Sequence, residues 1–148
     1  MKLVVQRVKY ASVKVDDEVV GKIDQGFMVL VGITDTDTKE TCDYLADKLI
    51  KLRVFDDENG VMNNDIKSVN GKLLIISQFT LYADCSKGNR PSYFKAAKGE
   101  ISKPLYEYFC DKCQSLGIDV QRGIFGADMK VELLNDGPVT IIMEKWAF

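Results

Sequence analysis

The segment "GFMVLVGIT", residues 26–34, constrains the fold of this chain more than any other stretch. It is a continuous apolar run of strand length, without the alternation of a strand that has one face in water. Such a run predicts a central strand covered on both faces. A chain of 148 residues buries roughly 70% of the surface that its unfolded form exposes, so a core large enough to cover this strand can form.

The segments around this strand predict further strands and two helices. Before it, the short β-rich runs "LVVQRV", "SVKV" and "EVVGKI" predict an antiparallel meander. After it, apolar residues recur at helical spacing through residues 38–52. A second helix is predicted at about residues 104–116, because Pro104 and Gly117 are residues that helix beginnings and ends favour.

Two turn signals complete the predicted fold. Asn70-Gly71 stands between "IKSV" and "KLLIIS" and predicts a hairpin. The segment "NDGP", residues 135–138, predicts a tight connection between two strands near the end of the chain. Together these elements predict one α+β domain over residues 1–148, with a mainly antiparallel, barrel-like sheet and two principal helices.

The composition excludes several classes of chemistry. The chain has no histidine, so Ser-His and Cys-His nucleophile pairs, HExxH metal sites and imidazole acid-base catalysis are all excluded. With 20 basic and 22 acidic residues, it has no overall attraction for nucleic acid or an anionic membrane, and any such contact must be local. Neither an apolar run of about 20 residues nor a signal peptide is found, which predicts a cytoplasmic protein with no membrane contact.

The four cysteines do not form a convincing functional motif. Cys110 and Cys113 are a single CxxC pair inside the second predicted helix, while Cys42 and Cys85 are far away in sequence. A lone CxxC without a second pair or histidines is a weak zinc signal, and disulfides are not expected in the cytosol. Packing is therefore the expected role, and no metal or cofactor is expected.

The stretch "SQFTL", residues 77–81, has two interpretations. By strand alternation, Gln78 and Thr80 face water while Phe79 and Leu81 face the core, and spacing alone favours this interpretation. Alternatively, Ser77, Gln78 and Thr80, with the backbone N–H groups between them, form the polar floor of a pocket for a carbonyl under attack.

These motifs resemble those of the D-aminoacyl-tRNA deacylase family. "SQFTL" and "NDGPVT" carry the resemblance, and "VVQRV", "KGNRPSY" and "GIFGADMKVELLNDGP" look like that family's stretches in the same order. The resemblance covers nearly the whole chain. It implies a homodimer that hydrolyses the ester between a D-amino acid and the terminal adenosine of tRNA, with glycyl-tRNA as a further substrate.

The resemblance also implies roles for individual residues. Gly137-Pro138 would form a cis peptide that enters the partner's site and excludes L-amino acids, and Arg7 would hold the Gly-Pro carbonyls in place. Without the resemblance, Arg7 would be taken for a solvated charge. The Phe79 N–H, with Gln78 and Thr80 nearby, would bind the oxyanion. Because no histidine is present as a base for Thr80, we expect water attack assisted by the substrate's 2′-hydroxyl, not a covalent intermediate.

The loop of residues 86–103 is locally basic. Five basic residues against Glu100 give +4 in a chain of net charge −2. A solvated loop is one interpretation, and contact with tRNA phosphates is the other. The predicted tRNA contacts are Lys87, Arg90, Lys95 and Lys98. A nucleic-acid-binding protein without catalysis is the main alternative function, and a redox or zinc protein using the cysteines is a distant third.

Overall fold

The computed structural model describes residues 1–146. Residues 147–148, which the predicted domain includes, lie outside the described residues. The elements in chain order are β1 (Lys2–Val15), β2 (Glu18–Ile23), β3 (Gly26–Gly32), α1 (Lys39–Ile50), β4 (Phe55–Asp56), β5 (Met62–Asn64), β6 (Lys72–Ser77), a 3₁₀ turn (Phe79–Tyr82), α2 (Gly99–Ser115), β7 (Val120–Arg122) and β8 (Lys130–Glu144).

The strands form one mixed sheet that curls towards a barrel. Its order is β2-β1-β3-β6-β7, and β8 pairs with the other edge of β1. The pairs that β1 makes are antiparallel, whereas β6 is parallel to both β3 and β7. The first and last strands of this order, β2 and β7, lie close together. A Cβ atom added at Gly21 of β2 would be only 2.8 Å from the carbonyl oxygen of Arg122 in β7. The predicted α+β class, with two helices and a nearly barrel-shaped sheet, is confirmed.

Strand β3 is the central strand that the apolar run predicted. Phe27 and Val29 point into the main core beneath the two helices, while Met28 points into a second core inside the curled sheet. All three are at most 2% exposed. The predicted meander needs one correction, because "LVVQRV" and "SVKV" belong to the same 14-residue strand, β1. Neither run is long enough alone to pair with β2, β3 and β8, as β1 does.

The first helix matches its prediction closely, and the second begins earlier than predicted. The helix α1 runs from Lys39 to Ile50 within the predicted 38–52. The helix α2 begins at Gly99, so Pro104 lies inside it and does not open it. The backbone N–H groups of Ile101 and Ser102 both donate to the carbonyl of Lys98. The first turn therefore forms upstream of the proline.

The hairpin predicted at Asn70-Gly71 is wrong. Residues 65–71 form turns and no strand, and the N–H groups of Asn70 and Gly71 donate to carbonyls within the same segment. Strand β6 then pairs with β3 in parallel. The reason lies in its sequence, because the apolar residues 73–76 are buried on both faces and need a neighbouring strand on each side.

The hairpin predicted at "NDGP" is also wrong, because this segment lies inside one long strand. Gln6 of β1 is aligned with Thr140, and Val8 is aligned with Asn135. Four residues of β8, 136–139, therefore stand opposite Arg7 alone. Both halves of β8 pair with β1 and not with each other, so the turn-forming residues create a bulge on an edge strand.

The three cysteines near the helices are packing residues, as expected. Cys42, Cys110 and Cys113 are fully buried, while Cys85 is exposed. Burial raises the pKa of Cys42 and of Cys110 to about 12, so both thiols are protonated at neutral pH. Among residues 1–146 there is no helix with the length and apolar character that crossing a membrane requires.

Tyr106 connects α2 to the strand that leads into "SQFTL". Its buried hydroxyl donates to the carbonyl of Ile75 in β6 at 2.7 Å. We expect Tyr106→Phe to lower the free energy of unfolding by about 0.5–1.5 kcal/mol, because one buried hydrogen bond is lost while the ring stays. Thermal melting measures this change, at roughly 2–4 °C per kcal/mol for a domain of this size. Tyr10→Phe, at an exposed site, is the control, and equal shifts in both variants would contradict the assignment.

Candidate active site

The strand β6 ends where "SQFTL" begins, and the chain turns sharply there. Ser77 is the last strand residue, aligned with Val31 of β3. The N–H of Gln78 still donates to the Val31 carbonyl at 2.8 Å, and a 3₁₀ turn follows from Phe79 to Tyr82. The alternation interpretation is wrong for Phe79, because the turn leaves this residue 57% exposed.

A cavity of about 460 Å³ opens at this end of β6. Ser77, Gln78 and Phe79 line it from the strand end and the turn that follows. The remaining lining residues are mostly apolar and come from the end of β3 and the residue after it, from β6, from the region where α2 begins, and from the segment that leads into β8: Val31, Ile33, Ile76, Ala97, Gly99, Ser102, Phe125, Gly126, Ala127, Asp128, Met129 and Val131. The cavity thus suits a ligand with an apolar part and a polar group directed at the strand end.

The turn after Gln78 supplies hydrogen-bond donors beside the cavity. The first N–H groups of any helical turn have no acceptor within that turn, and here they belong to Phe79 and Thr80. The Gln78 side-chain amide donates to the Thr80 hydroxyl at 2.5 Å, which ties Thr80, an exposed residue outside the cavity lining, to Gln78 in that lining. Such an array of fixed donors can stabilise negative charge that develops on a carbonyl oxygen.

The cavity wall contains residues to which the sequence analysis gave no role. Phe125 and Met129 lie in "GIFGADM", which was used for the family resemblance without an assignment to a site. Ser102 is buried on the first turns of α2 and also lines the cavity. The available signal was the apolar pair Ile124-Phe125 between two glycines, in a segment outside every predicted strand and helix, whereas Met129 was taken for the first residue of a strand.

The Gly137-Pro138 peptide is cis, and Arg7 lies directly beneath its bulge. Arg7 is only 8% exposed, so it is not a solvated surface charge. Its Nε donates to the carbonyl of Asp136 at 3.0 Å, and its Nη1 donates to the carbonyl of Val54 at 2.7 Å. The guanidinium thus ties the residue immediately before Gly137 to the segment that enters β4.

Asn135 closes the base of the same bulge, and the sequence analysis missed this role. Its Oδ1 accepts the N–H of Val139 at 3.1 Å, and its Nδ2 donates to the Thr140 hydroxyl at 3.1 Å. One side chain therefore joins the two ends of the four-residue insertion. The signal in the sequence was an asparagine next to a turn, since asparagine side chains commonly bond to nearby backbone groups.

The two motifs do not meet within one chain. Arg7, Gly137 and Pro138 are absent from the cavity lining. The strand register aligns Ser77 with Val31 and Val31 with Leu3, whereas Arg7 lies four residues further along β1. Four strand residues span roughly 13 Å, so the bulge lies well away from the cavity along the strand direction.

Three hydrogen bonds at Ser92 and Lys95 hold the middle of the basic loop in place. Asp84 and Ser92 exchange backbone hydrogen bonds of 2.7 and 2.9 Å, and the Thr34 hydroxyl donates to the Lys95 carbonyl at 2.5 Å. Hydrogen bonds from the Ser86 side chain and backbone hold the pKa of Asp84 below its usual value. The predicted tRNA contacts are all exposed, and within residues 1–146 none of them forms an ion pair: Lys87, Arg90, Lys95 and Lys98.

Comparisons with known sequences identify close relatives. A family model described as D-Tyr-tRNA(Tyr) deacylase matches residues 4–144. A protein named D-aminoacyl-tRNA deacylase from Bacteroides fragilis (strain YCH46) is 59% identical, over 97% of this chain and 97% of its own length. A protein of the same name from Thermosipho africanus (strain TCF52B) is 53% identical, with the same coverage of both chains.

Comparisons with solved structures agree with this result. A structure of a protein named "c-Myc DNA Unwinding Element Binding Protein" is 38% identical and superposes with a TM-score of 0.94, over 99% of this chain and all of its own. A structure described as a probable eukaryotic D-amino acid tRNA deacylase shares the fold, with a TM-score of 0.83 at 17% identity, over 96% of this chain and 97% of its own. From its family-model match and its identity to these relatives, the chain belongs to the D-Tyr-tRNA(Tyr) deacylase family.

Proposed function

We propose that the protein hydrolyses the ester bond of D-aminoacyl-tRNA, and also that of glycyl-tRNA, releasing the amino acid and the tRNA. The observation that carries this proposal is the cavity at the end of β6, where the first N–H groups of the Phe79–Tyr82 turn stand beside Ser77 and Gln78. The names of relatives at 53–59% identity support the same activity.

The proposed reaction uses positioning and oxyanion stabilisation. The ester carbonyl would accept from the Phe79 N–H, with Gln78 and Thr80 completing the polar side of the site. With no histidine in the chain, Thr80 lacks the base that a nucleophile needs. Water assisted by the ribose 2′-hydroxyl is therefore the proposed attacking group. Trapping of a covalent ester at Thr80 would contradict this mechanism.

The proposed chirality filter is Gly137-Pro138 of a second subunit in a homodimer. Both residues are exposed and lie far from the cavity of their own chain. Within residues 1–146, β8 pairs with β1 alone, so its other edge has unused backbone groups. The same strand exposes Leu134 by 49% and Ile142 by 68%. An apolar edge strand of this kind supports a symmetric contact with another copy.

The basic loop is the proposed contact for the tRNA acceptor end. Its exposed cations lie on the segment that leads from the "SQFTL" turn to the start of α2, between the cavity-lining residues Phe79 and Gly99 in sequence. Contacts between such cations and phosphates are sequence-tolerant and weaken with salt. We propose a cytoplasmic site of action, where charged tRNA is used, and a single functional domain over residues 1–148.

A deacylation assay with matched D- and L-aminoacyl-tRNA tests the proposed function. We expect rapid release of the D-amino acid and at least a roughly 100-fold slower release of its L-enantiomer, because steric exclusion acts on the misplaced side chain. The same tRNA charged with either enantiomer provides the matched comparison. Equal rates for the two forms would contradict the chirality assignment, and release of neither would contradict the enzymatic function.

Nucleic-acid binding without catalysis is the second candidate function. The exposed basic loop favours it, and the name of one solved relative describes binding to a DNA element. A pure binding protein would bind charged and uncharged tRNA alike, and Thr80→Ala or Pro138→Ala would leave that binding unchanged. The enzyme is distinguished from this alternative if the parent protein hydrolyses the ester and both variants lose this hydrolysis while they still bind tRNA.

A further inference from the structure

Two exposed aromatic rings stand together at the edge of the cavity. Phe79 and Tyr93 are 57% and 41% exposed as residues, and their rings meet edge to face with centroids 5.2 Å apart. Phe79 also lines the cavity, so the pair extends the apolar surface from the cavity onto the protein exterior. An exposed pair of this kind leaves apolar area in water unless a ligand covers it.

The surroundings of this pair favour a polyanionic ligand. Tyr93 lies in the loop that carries Lys87, Arg90 and Lys95, and none of these cations forms an ion pair within the described residues. Aromatic rings combined with such cations are the combination that binds single-stranded nucleic acid, with bases on the rings and phosphates on the cations. An apolar protein partner would not require these cations.

We infer that Phe79 and Tyr93 form a stacking platform for the nucleobase that precedes the terminal adenosine of the tRNA 3′ end. The inference rests on the proposed function, because it assumes that the terminal aminoacyl-adenosine occupies the cavity. The adjoining base then leaves the cavity past Phe79 and lies against the aromatic pair, with its phosphate near the loop cations. Phe79 thus acts twice, through its backbone N–H on the ester and through its ring on the next base.

Kinetics on two substrates of different length test this platform. We compare D-tyrosyl-tRNA with 3′-O-D-tyrosyl-adenosine, which lacks the preceding nucleotide. Tyr93→Ala is expected to raise KM for the tRNA roughly ten-fold or more, the effect that loss of base stacking produces, with kcat within about two-fold. The variant should hydrolyse the adenosine ester as the parent protein does, because this substrate does not reach the platform.

Two further variants at the same position separate stacking from simple packing. Tyr93→Phe keeps the aromatic face and should retain the KM of the parent protein, whereas Tyr93→Leu keeps apolar bulk and should behave like Tyr93→Ala. Equal KM increases on both substrates would show a structural defect and overturn the platform. Unchanged KM for the tRNA in Tyr93→Ala would overturn it as well.

A binding measurement keeps this test independent of the proposed activity. The probe is an oligonucleotide with the tRNA 3′ sequence, not aminoacylated, in which 2-aminopurine replaces the second C of the terminal CCA. Its fluorescence should be quenched by the parent protein and by Tyr93→Phe, but not by Tyr93→Ala. If the parent protein hydrolyses neither ester, the proposed function fails while this quenching still tests the platform. Hydrolysis without any quenching would overturn the platform alone.

Discussion

Gly137→Ala is expected to lose most of the D-aminoacyl-tRNA deacylase activity, by roughly 100-fold, while the protein remains folded. Gly137 has φ of +131°, which L side chains rarely adopt, and a Cβ there would lie 2.8 Å from Cγ2 of Val139. The same Cβ would lie 3.1 Å from Nη2 of Arg7. The added methyl group must displace the bulge, and a displacement of about 1 Å in a positioning group can reduce a rate by about 100-fold. Steady-state kinetics with charged tRNA measures this loss.

Gly60→Ala is the matched control for this variant. Gly60 also has a positive φ, +73°, but a Cβ there would meet no atom within 4 Å. Both variants therefore carry backbone strain, and only Gly137→Ala adds crowding next to Arg7. We expect each to lower the free energy of unfolding by about 1–3 kcal/mol, and Gly60→Ala to keep normal activity. Equal activity losses in the two variants would contradict a specific role for the bulge.

Much of the fold follows from local patterns in the sequence. The apolar run of residues 26–34 predicts β3 because a strand covered on both faces needs apolar residues at successive positions. The helical spacing of Cys42, Leu45 and Leu49 predicts α1 because these residues lie on one buried face. In both segments the local preference and the tertiary environment agree, so short-range reasoning is sufficient.

Both hairpin predictions failed because strand pairing is not a local property. Asn70-Gly71 does form a turn, and Asn70 has φ of +52°, but the strand that follows pairs with β3, which lies far earlier in the chain. At "NDGP" the residues typical of a hairpin instead form an insertion within β8. Turn chemistry determines where a chain can bend, and the choice of partner strand depends on the burial of distant segments.

The candidate site shows the same limit. Ser77, Gln78 and Phe79 are adjacent in sequence, and the structure places all three at one cavity, whereas Thr80, predicted with them, is exposed and is not among the residues that line it. The opposite wall could not be foreseen, because Ser102 and Phe125 reach the cavity through the packing of α2 and the segment before β8. The exposure of Phe79 was also hidden, since it depends on a 3₁₀ turn that alternation does not predict.

The largest gain of activity is expected when two inactive variants are mixed. If Gly137-Pro138 of one subunit completes the cavity of the other, each site combines a strand end from one chain with a bulge from its partner. In a heterodimer of Thr80→Ala and Pro138→Ala, one site then carries both defects and the other site carries neither. Two-fold symmetry makes this outcome necessary for a shared site. Random exchange makes half of the dimers mixed, so the mixture should reach roughly a quarter of the parental activity.

A second mixture provides the control for this complementation. Gln78 and Thr80 belong to the same strand end, and their side chains are hydrogen-bonded to each other. A mixture of Gln78→Ala and Thr80→Ala therefore leaves one defect in every site and should regain no activity. Native mass spectrometry confirms subunit exchange in both mixtures. If the first mixture also regains none despite complete exchange, the bulge and the strand end do not act across subunits, and the proposed chirality filter is wrong.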